Sequence, residues 1–205
     1  ENMKKLLLLV AAAALMFTGC SKPRMHVDPS WTDVPQKITV LVTPPYVKNT
    51  DDMYDDFLGE SEFNDWFVEF VDFSFSEHSA SKAKVQYVDE KIFDMTEMTL
   101  GNKRVRFPLP NTDKIEGLSG IVVSIHPTTF WRQTVTVYNA YGYTTHTSLD
   151  GDLKYSIVNA DDHKVLAYGL AKDRSSFAFA MTKSNWEALA EALVRKVVQK
   201  TPLQK

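Results

Sequence analysis

Five imidazoles, one thiol and 26 carboxylates are the groups from which this 205-residue chain would have to build chemistry. The histidines are His26, His78, His126, His146 and His163. No two of them stand at i, i+4, and none sits in a metal-ligand spacing, so no metal site is expected. His163 follows Asp161-Asp162, but the same trio suits a solvated hairpin tip, where Asp favours turn geometry. No Gly-x-Ser-x-Gly elbow is present to present a nucleophile. Asp51-Asp52 and Asp55-Asp56 lack the glycine and closing glutamate of a calcium loop. Neither a catalytic site nor a cofactor site is expected, and the chain reads as a non-enzyme.

Two features remain that suit binding. Between Lys48 and Lys82 there is no Lys or Arg, while Asp51, Asp52, Asp55, Asp56 and several helix acids fall there. That is either a solvated face or a patch for a basic partner. The second feature is aromatic: Phe130-Trp131, then Tyr141 and Tyr143 around Gly142, beside Tyr138. Tyr and Trp are enriched at protein interfaces, and the same rings could equally pack across strands. Phe130, Trp131, Tyr141 and Tyr143, with Asp51, Asp52, Asp55 and Asp56, are the candidate partner-binding residues.

Cys20, the only thiol, closes a distinctive run. Lys4-Lys5 precede an apolar stretch, Leu6 to Phe17, which is shorter than the roughly 20 residues a membrane span needs. It matches the h-region of a secretory signal. Phe17-Thr18-Gly19-Cys20 resembles the lipobox of bacterial lipoproteins, with Phe17 where leucine is usual. The resemblance implies cleavage before Cys20 and acyl chains on that residue, and Ser21 after it favours the outer membrane. Two or more acyl chains anchor a protein stably where one does not. Glu1-Asn2 precede Met3 and are read as extra leading residues. With the thiol consumed, no disulfide is expected.

Residues 1–19 are thus read as signal peptide, 20–36 as a lipidated tether carrying Pro23, Pro29 and Pro35, 37–200 as one domain, and 201–205 as a tail. Met25, Val27 and Trp31 could dock the tether onto the domain. A composition of 44% hydrophobic and 12% aromatic residues supports a real core. The net charge of −3 gives no footprint for nucleic acid.

The elements that would position these groups follow from periodicity. Ile38 to Val42 is an apolar, β-branched run suited to a strand buried on both faces. Phe63, Trp66, Phe67, Phe70 and Val71 recur at helical spacing and predict a helix over 61–78. Lys84 to Val88 reads as a strand. Residues 89–117 show no steady period and read as a long irregular loop, with short elements at most around Ile92-Phe93 and Val105 to Phe107. Ile121 to Ile125 and Gln133 to Tyr138 read as separate strands. Asp150-Gly151 signals a hairpin turn, followed by strands Leu153 to Val158 and Lys164 to Ala171 around a turn at 159–163. Ser184 with Glu187 forms a capping box. Trp186, Leu189, Ala190, Leu193, Val194, Val197 and Val198 then make one apolar stripe. Glu191 and Arg195 are placed as an i,i+4 pair.

This order predicts an α+β fold: two layers, with a mixed, mostly antiparallel sheet and both helices on one face. Over 37–200 it resembles small α/β lipoprotein domains related to penicillin-binding-protein activators and to the curli-secretion lipoprotein, departing from them in 89–117. That resemblance implies an accessory or regulatory subunit bound to another envelope protein. A ligand-binding lipoprotein, holding a glycan or lipid in a cleft under the long loop, is the alternative.

Overall fold

The computed structural model describes residues 24–48, 60–115, 117–177 and 180–205. Cys20 and the acidic residues Asp51, Asp52, Asp55 and Asp56 lie outside them.

The strand expected at Ile38 forms as β2 (Lys37–Val42), and the aromatic stripe forms as α1 (Glu60–His78). α1 crosses to β4 (Lys82–Tyr87), which pairs parallel with β2. β7 (Ile121–Asn139) pairs parallel with β2 on the other side, and β3 (Tyr46–Lys48) lies parallel along its continuation. β8 (Gly142–Asn159) and β9 (Lys164–Phe177) follow antiparallel, and β1 (Met25–Val27) closes that edge by pairing with β9. The sheet order is β1-β9-β8-β7-β2-β4, with β3 beside β7. Of the tether residues that could dock, Met25 and Val27 lie in β1, and Val27 and Trp31 pack against the core.

The second helix, α2 (Lys183–Val198), buries all seven residues of its predicted stripe. Both helices pack on one face of the sheet. Their core joins Phe63, Phe67 and Phe75 to Trp186, Leu189 and Leu193, over Val40, Ile125, Ile157 and Ala171 from the strands. The Trp186 ring lies edge-on to Phe63 and Phe130, at 4.8 and 5.4 Å between centroids. Aromatic pairs favour this arrangement because the positive ring edge meets the negative face.

Several local expectations differ from the structure. Residues 89–117 are not a long loop: β5 (Phe93–Leu100) and β6 (Lys103–Pro110) form a hairpin. Gly101, at φ 64°, makes its turn. This hairpin covers the sheet face away from the helices, burying Phe93 against Leu41 and Val122 and setting Phe107 against Tyr168. Its pattern is hard to read because exposed Thr96 and Glu97 are adjacent in β5, breaking strict alternation, and Pro108 and Pro110 lie within β6.

The runs at 121–125 and 133–138 are one strand, interrupted only by a register shift between Ile125 and Thr128. Asp150-Gly151 is not a turn but lies inside β8. A Cβ on Gly151 would stand 2.9 Å from the Phe130 ring and 3.1 Å from Leu193 Cδ1. Glycine is there because helix and sheet meet at that point. Finally, Thr182 rather than Ser184 precedes α2, its backbone N–H donating to Asn185 Oδ1 at 2.9 Å. Glu191 reaches His78 Nε2 at 3.0 Å, across to α1.

Candidate functional site

The parallel strands β2 and β4 end at the same side of the sheet, and β2 is where the strand order reverses, with β4 on one side and β7 on the other. Such reversal points leave a crevice beyond the carboxyl ends of the strands. A cleft of about 600 Å³ lies there, walled by Thr43, Pro44, Pro45 and Tyr46 after β2, by Tyr87 at the end of β4 and by Glu90 beyond it. The proline pair stops β2 from continuing, since proline offers no N–H to a ladder. Tyr46 and Tyr87 each keep about half their surface exposed. The Tyr46 hydroxyl donates to Glu90 Oε2 at 2.7 Å, and that bond raises the tyrosine pKa.

Behind the cleft, Thr43 Oγ1 and His126 Nδ1 are 2.9 Å apart, and the imidazole stacks on Phe93. Burial lowers the His126 pKa, the Glu90 charge opposes that shift, and Lys154 adds to it. A hydroxyl beside an imidazole is the start of a nucleophile–base pair. Here Thr43 is only 1% exposed, and its oxygen is engaged with the imidazole.

Strand register places a polar face next to this cleft. Tyr46, Thr129, Asp152 and Lys172 stand side by side on β3, β7, β8 and β9, and Lys48, Trp131, Asp150 and Arg174 form the next rung on the same face. The half-buried Trp131 ring has Lys48 Nζ at 5.6 Å and Lys172 Nζ at 5.0 Å from its centroid. Cations at these distances are attracted to the indole quadrupole. Asp150 is buried and satisfied: Arg174 donates to Oδ1 from Nε and Nη2, and Ser148 donates to Oδ2 at 2.6 Å. Burial raises the Asp152 pKa against the pull of Lys172, Lys48 and Lys154.

The aromatic residues proposed from sequence do not form one patch. Phe130 is a correction: its side chain points to the helices and is fully buried among Phe63, Phe67 and Trp186, so it faces no partner. Trp131, the next residue, faces the other way. Tyr143 lies about 23 Å further along the strands, opposite Tyr138, on the Phe130 side of the sheet. Tyr141 sits at the turn and is completely exposed, while Tyr138 is 79% and Tyr143 72% exposed. These three tyrosines cap a ribbon formed where β7 and β8 outrun the sheet. Among the described residues, β3 flanks β7 only as far as Trp131 and β9 flanks β8 only as far as Thr147, so no described strand borders the ribbon beyond. No Asp, Glu, Lys or Arg occurs between Arg132 and Asp150.

Sequence reasoning missed Lys48, Tyr46, Tyr87, Lys172, Arg174 and His126. Only register across four strands brings them together. The one local signal is Pro44-Pro45 before Tyr46, which marks a strand end. Among the described residues, no group of three or more metal-ligating side chains occurs, and no helix is long and apolar enough to cross a membrane.

No family model matches the chain, and no curated protein sequence matches it significantly. Among solved structures it is similar to the PelC dodecamer from Paraburkholderia phytofirmans, at 11% identity and a TM-score of 0.41, over 89% of this chain and 98% of that one. It is also similar to a minor lipoprotein from Acinetobacter baumannii, at 11% identity and a TM-score of 0.35, over 80% and 87%. Lipoprotein GNA1162 from Neisseria meningitidis is 14% identical with a TM-score of 0.33, over 81% and 100%. Likenesses of this size assign a role to no residue.

Proposed function

We propose that this chain is a non-enzymatic envelope lipoprotein, anchored through acyl chains on Cys20, that serves as an accessory or regulatory subunit of a cell-envelope assembly. Ser21 after the acylated residue directs it to the outer membrane. It docks a partner protein on the face that carries Trp131. The observation behind the docking reading is the rung Lys48-Trp131-Asp150-Arg174: a half-buried indole held by two lysines, beside a fully satisfied carboxylate. Such a ring is fixed before a partner arrives, so little side-chain entropy is lost on binding, and Trp and Arg are the residues that most often dominate interface energies. The buried Thr43 hydroxyl supports a non-catalytic role for the adjoining cleft.

A photo-crosslinking residue at position 131, activated in intact membranes, tests this. The expected product is a discrete adduct with one envelope protein that disappears in Lys48→Glu/Lys172→Glu. No adduct in membranes, with the protein still anchored, would refute docking on this face. Cys20→Ser separately tests the anchor: it should release a folded domain and abolish labelling by a palmitate analogue.

One observation favours a second reading, a ligand-binding lipoprotein. Tyr46 and Tyr87, with the Glu90 carboxylate between the two walls, suit the ring faces and hydroxyls of a sugar. Tyr87→Ala should then abolish retention on immobilised glycan while leaving the position-131 adduct intact.

A further inference from the structure

The ribbon is built unlike an ordinary surface hairpin. Its body pairs Thr134 with Thr147 and Thr136 with Thr145, the hydroxyls of each pair 3.5 and 3.3 Å apart. Val135 and Val137 face the other side, 40% and 48% exposed. Strands at a sheet edge are normally guarded by lysine or another charge, yet the ribbon carries no Asp, Glu, Lys or Arg. At its tip stand three tyrosines, each with an apolar ring and a polar hydroxyl, the residue type concentrated where hydrocarbon meets water.

The course of the N-terminal strand adds a direction. β1 runs antiparallel to β9, so that the chain traced backwards from Val27 to Met25 heads from Ala167 towards Gly169 and on towards Phe177. That is the end of the sheet from which the ribbon projects. The Arg24 carbonyl accepts from Leu170 N at 2.7 Å, level with Lys154 on β8. From there to Gly142 at the tip is about 40 Å of strand. Read backwards, the described chain thus ends at Arg24 heading towards the tyrosine tip, with at most about 14 Å of chain between it and Cys20.

We propose that Tyr138, Tyr141 and Tyr143 are a second membrane contact, seated in the phospholipid headgroup layer of the bilayer in which Cys20 is anchored; this rests on the reading of Cys20 as the acylated residue. Geometry fixes how the ribbon lies. Held upright, it would carry its tip about 25 Å past the furthest reach of Cys20, through most of the roughly 30 Å hydrocarbon core. Backbone edges that no described residue pairs could not be satisfied there. Inclined to the membrane plane, the ribbon leaves those edges in the wet interface and sets the three rings at headgroup depth. Lacking carboxylates, it meets no repulsion from anionic lipid.

The test uses the full chain with Tyr141→Cys, labelled with a nitrobenzoxadiazole fluorophore and reconstituted in vesicles of phosphatidylethanolamine and phosphatidylglycerol. Acylated Cys20 has no free thiol, so one label per chain is expected. Emission should shift to the blue and be quenched several-fold more by lipids carrying a nitroxide on the headgroup than by lipids carrying it at the acyl-chain centre. Adding Tyr138→Ser/Tyr143→Ser should remove most of that quenching. A label on Asp162→Cys, at the opposite end of β8, should remain unquenched. One label and no quenching would overturn the ribbon contact while leaving the anchor in place. Stronger quenching from the acyl-chain centre would also overturn it, since ribbons of several copies would then pair edge to edge across the bilayer. Two labels per chain would overturn the anchor instead. The same protein mixed with vesicles then decides the ribbon alone: headgroup quenching keeps the contact, and its absence removes it.

Discussion

Gly151 is where the helices press closest on the sheet, and replacing it measures how tightly they hold the Trp131 face. In Gly151→Ala the added Cβ would stand 2.9 and 3.0 Å from two Phe130 ring carbons and 3.1 Å from Leu193 Cδ1. Carbon atoms settle at about 3.5–4.0 Å, so three contacts are each too short by several tenths of an ångström. The backbone there lies in a strand, so alanine itself is tolerated and should contribute about 0.4–1 kcal/mol by restricting the unfolded chain. Overpacking a core costs about 1–3 kcal/mol. The ring and Leu193 belong to a core filled on all sides, so the second effect wins, with a net loss of about 1–2 kcal/mol. Chemical denaturation with unchanged slope should show it. Leu193→Ala opens the space, so the double variant should be more stable than the two single losses added together, by roughly 0.5–3 kcal/mol of coupling. Gly151→Ala matching or exceeding the parent in stability, or strict additivity with Leu193→Ala, would refute the packing argument.

Trp186→Ala should cost about 3–5 kcal/mol in denaturation, because the indole is fully enclosed by Phe63, Phe130 and Trp66. Trp131→Ala should cost clearly less, its ring being only half-buried; equal losses would make Trp131 a core residue. Burial holds the His126 imidazole below its ordinary pKa of 6.5, so the unfolded chain takes up that proton first as pH falls. Its share of the stability is complete above about pH 6.5 and is lost as pH falls from there towards the folded pKa; His126→Gln should flatten that slope, and an unchanged pH profile would exclude this residue as its source. Replacing Asp51, Asp52, Asp55 and Asp56 by Asn should slow association with a basic partner surface while leaving stability nearly unchanged. Salt should weaken the parent in the same way, since the Debye length falls from about 10 Å at 0.1 M to about 3 Å at 1 M, and binding insensitive to both would leave the stretch as a solvated face.

What could be read from sequence divides along a physical line. Elements whose signal is carried by their own neighbours were legible: the α1 and α2 stripes and the β2 run are set by local periodicity and a single buried face. Gly151 was misread because Asp-Gly looks alike whether a turn needs flexibility or a helix needs room. β5 and β6 were missed because Phe93 and Leu100 stand at opposite ends of β5, and β6 carries Pro108 and Pro110, residues that argue against a strand. The site was the least legible part. Lys48, Trp131 and Lys172 belong to three strands, and no spacing along the chain records that register fixes them together. Phe130 and Trp131 looked alike as adjacent aromatics, yet strand alternation sends one into the core and the other outward.

That alternation also explains how one strand pair serves two environments. Up to Trp131 and Leu149, β7 and β8 have neighbours on both edges and a layer on the helix side, and their inward residues are fully buried. Among the described residues β3 stops at Trp131 and β9 stops opposite Thr147, and there the large apolar residues give way to threonine and valine that suit β structure without a core. The change falls where cations gather: Lys48 and Lys172 on Trp131, Arg132 over Phe177 at 5.5 Å, Arg174 on Asp150. These charges close the globular part, and the tyrosines begin only at the far end. A partner docked at Trp131 and a bilayer reached by the tip would therefore be held apart by the uncharged body of the ribbon, each contact able to form without displacing the other.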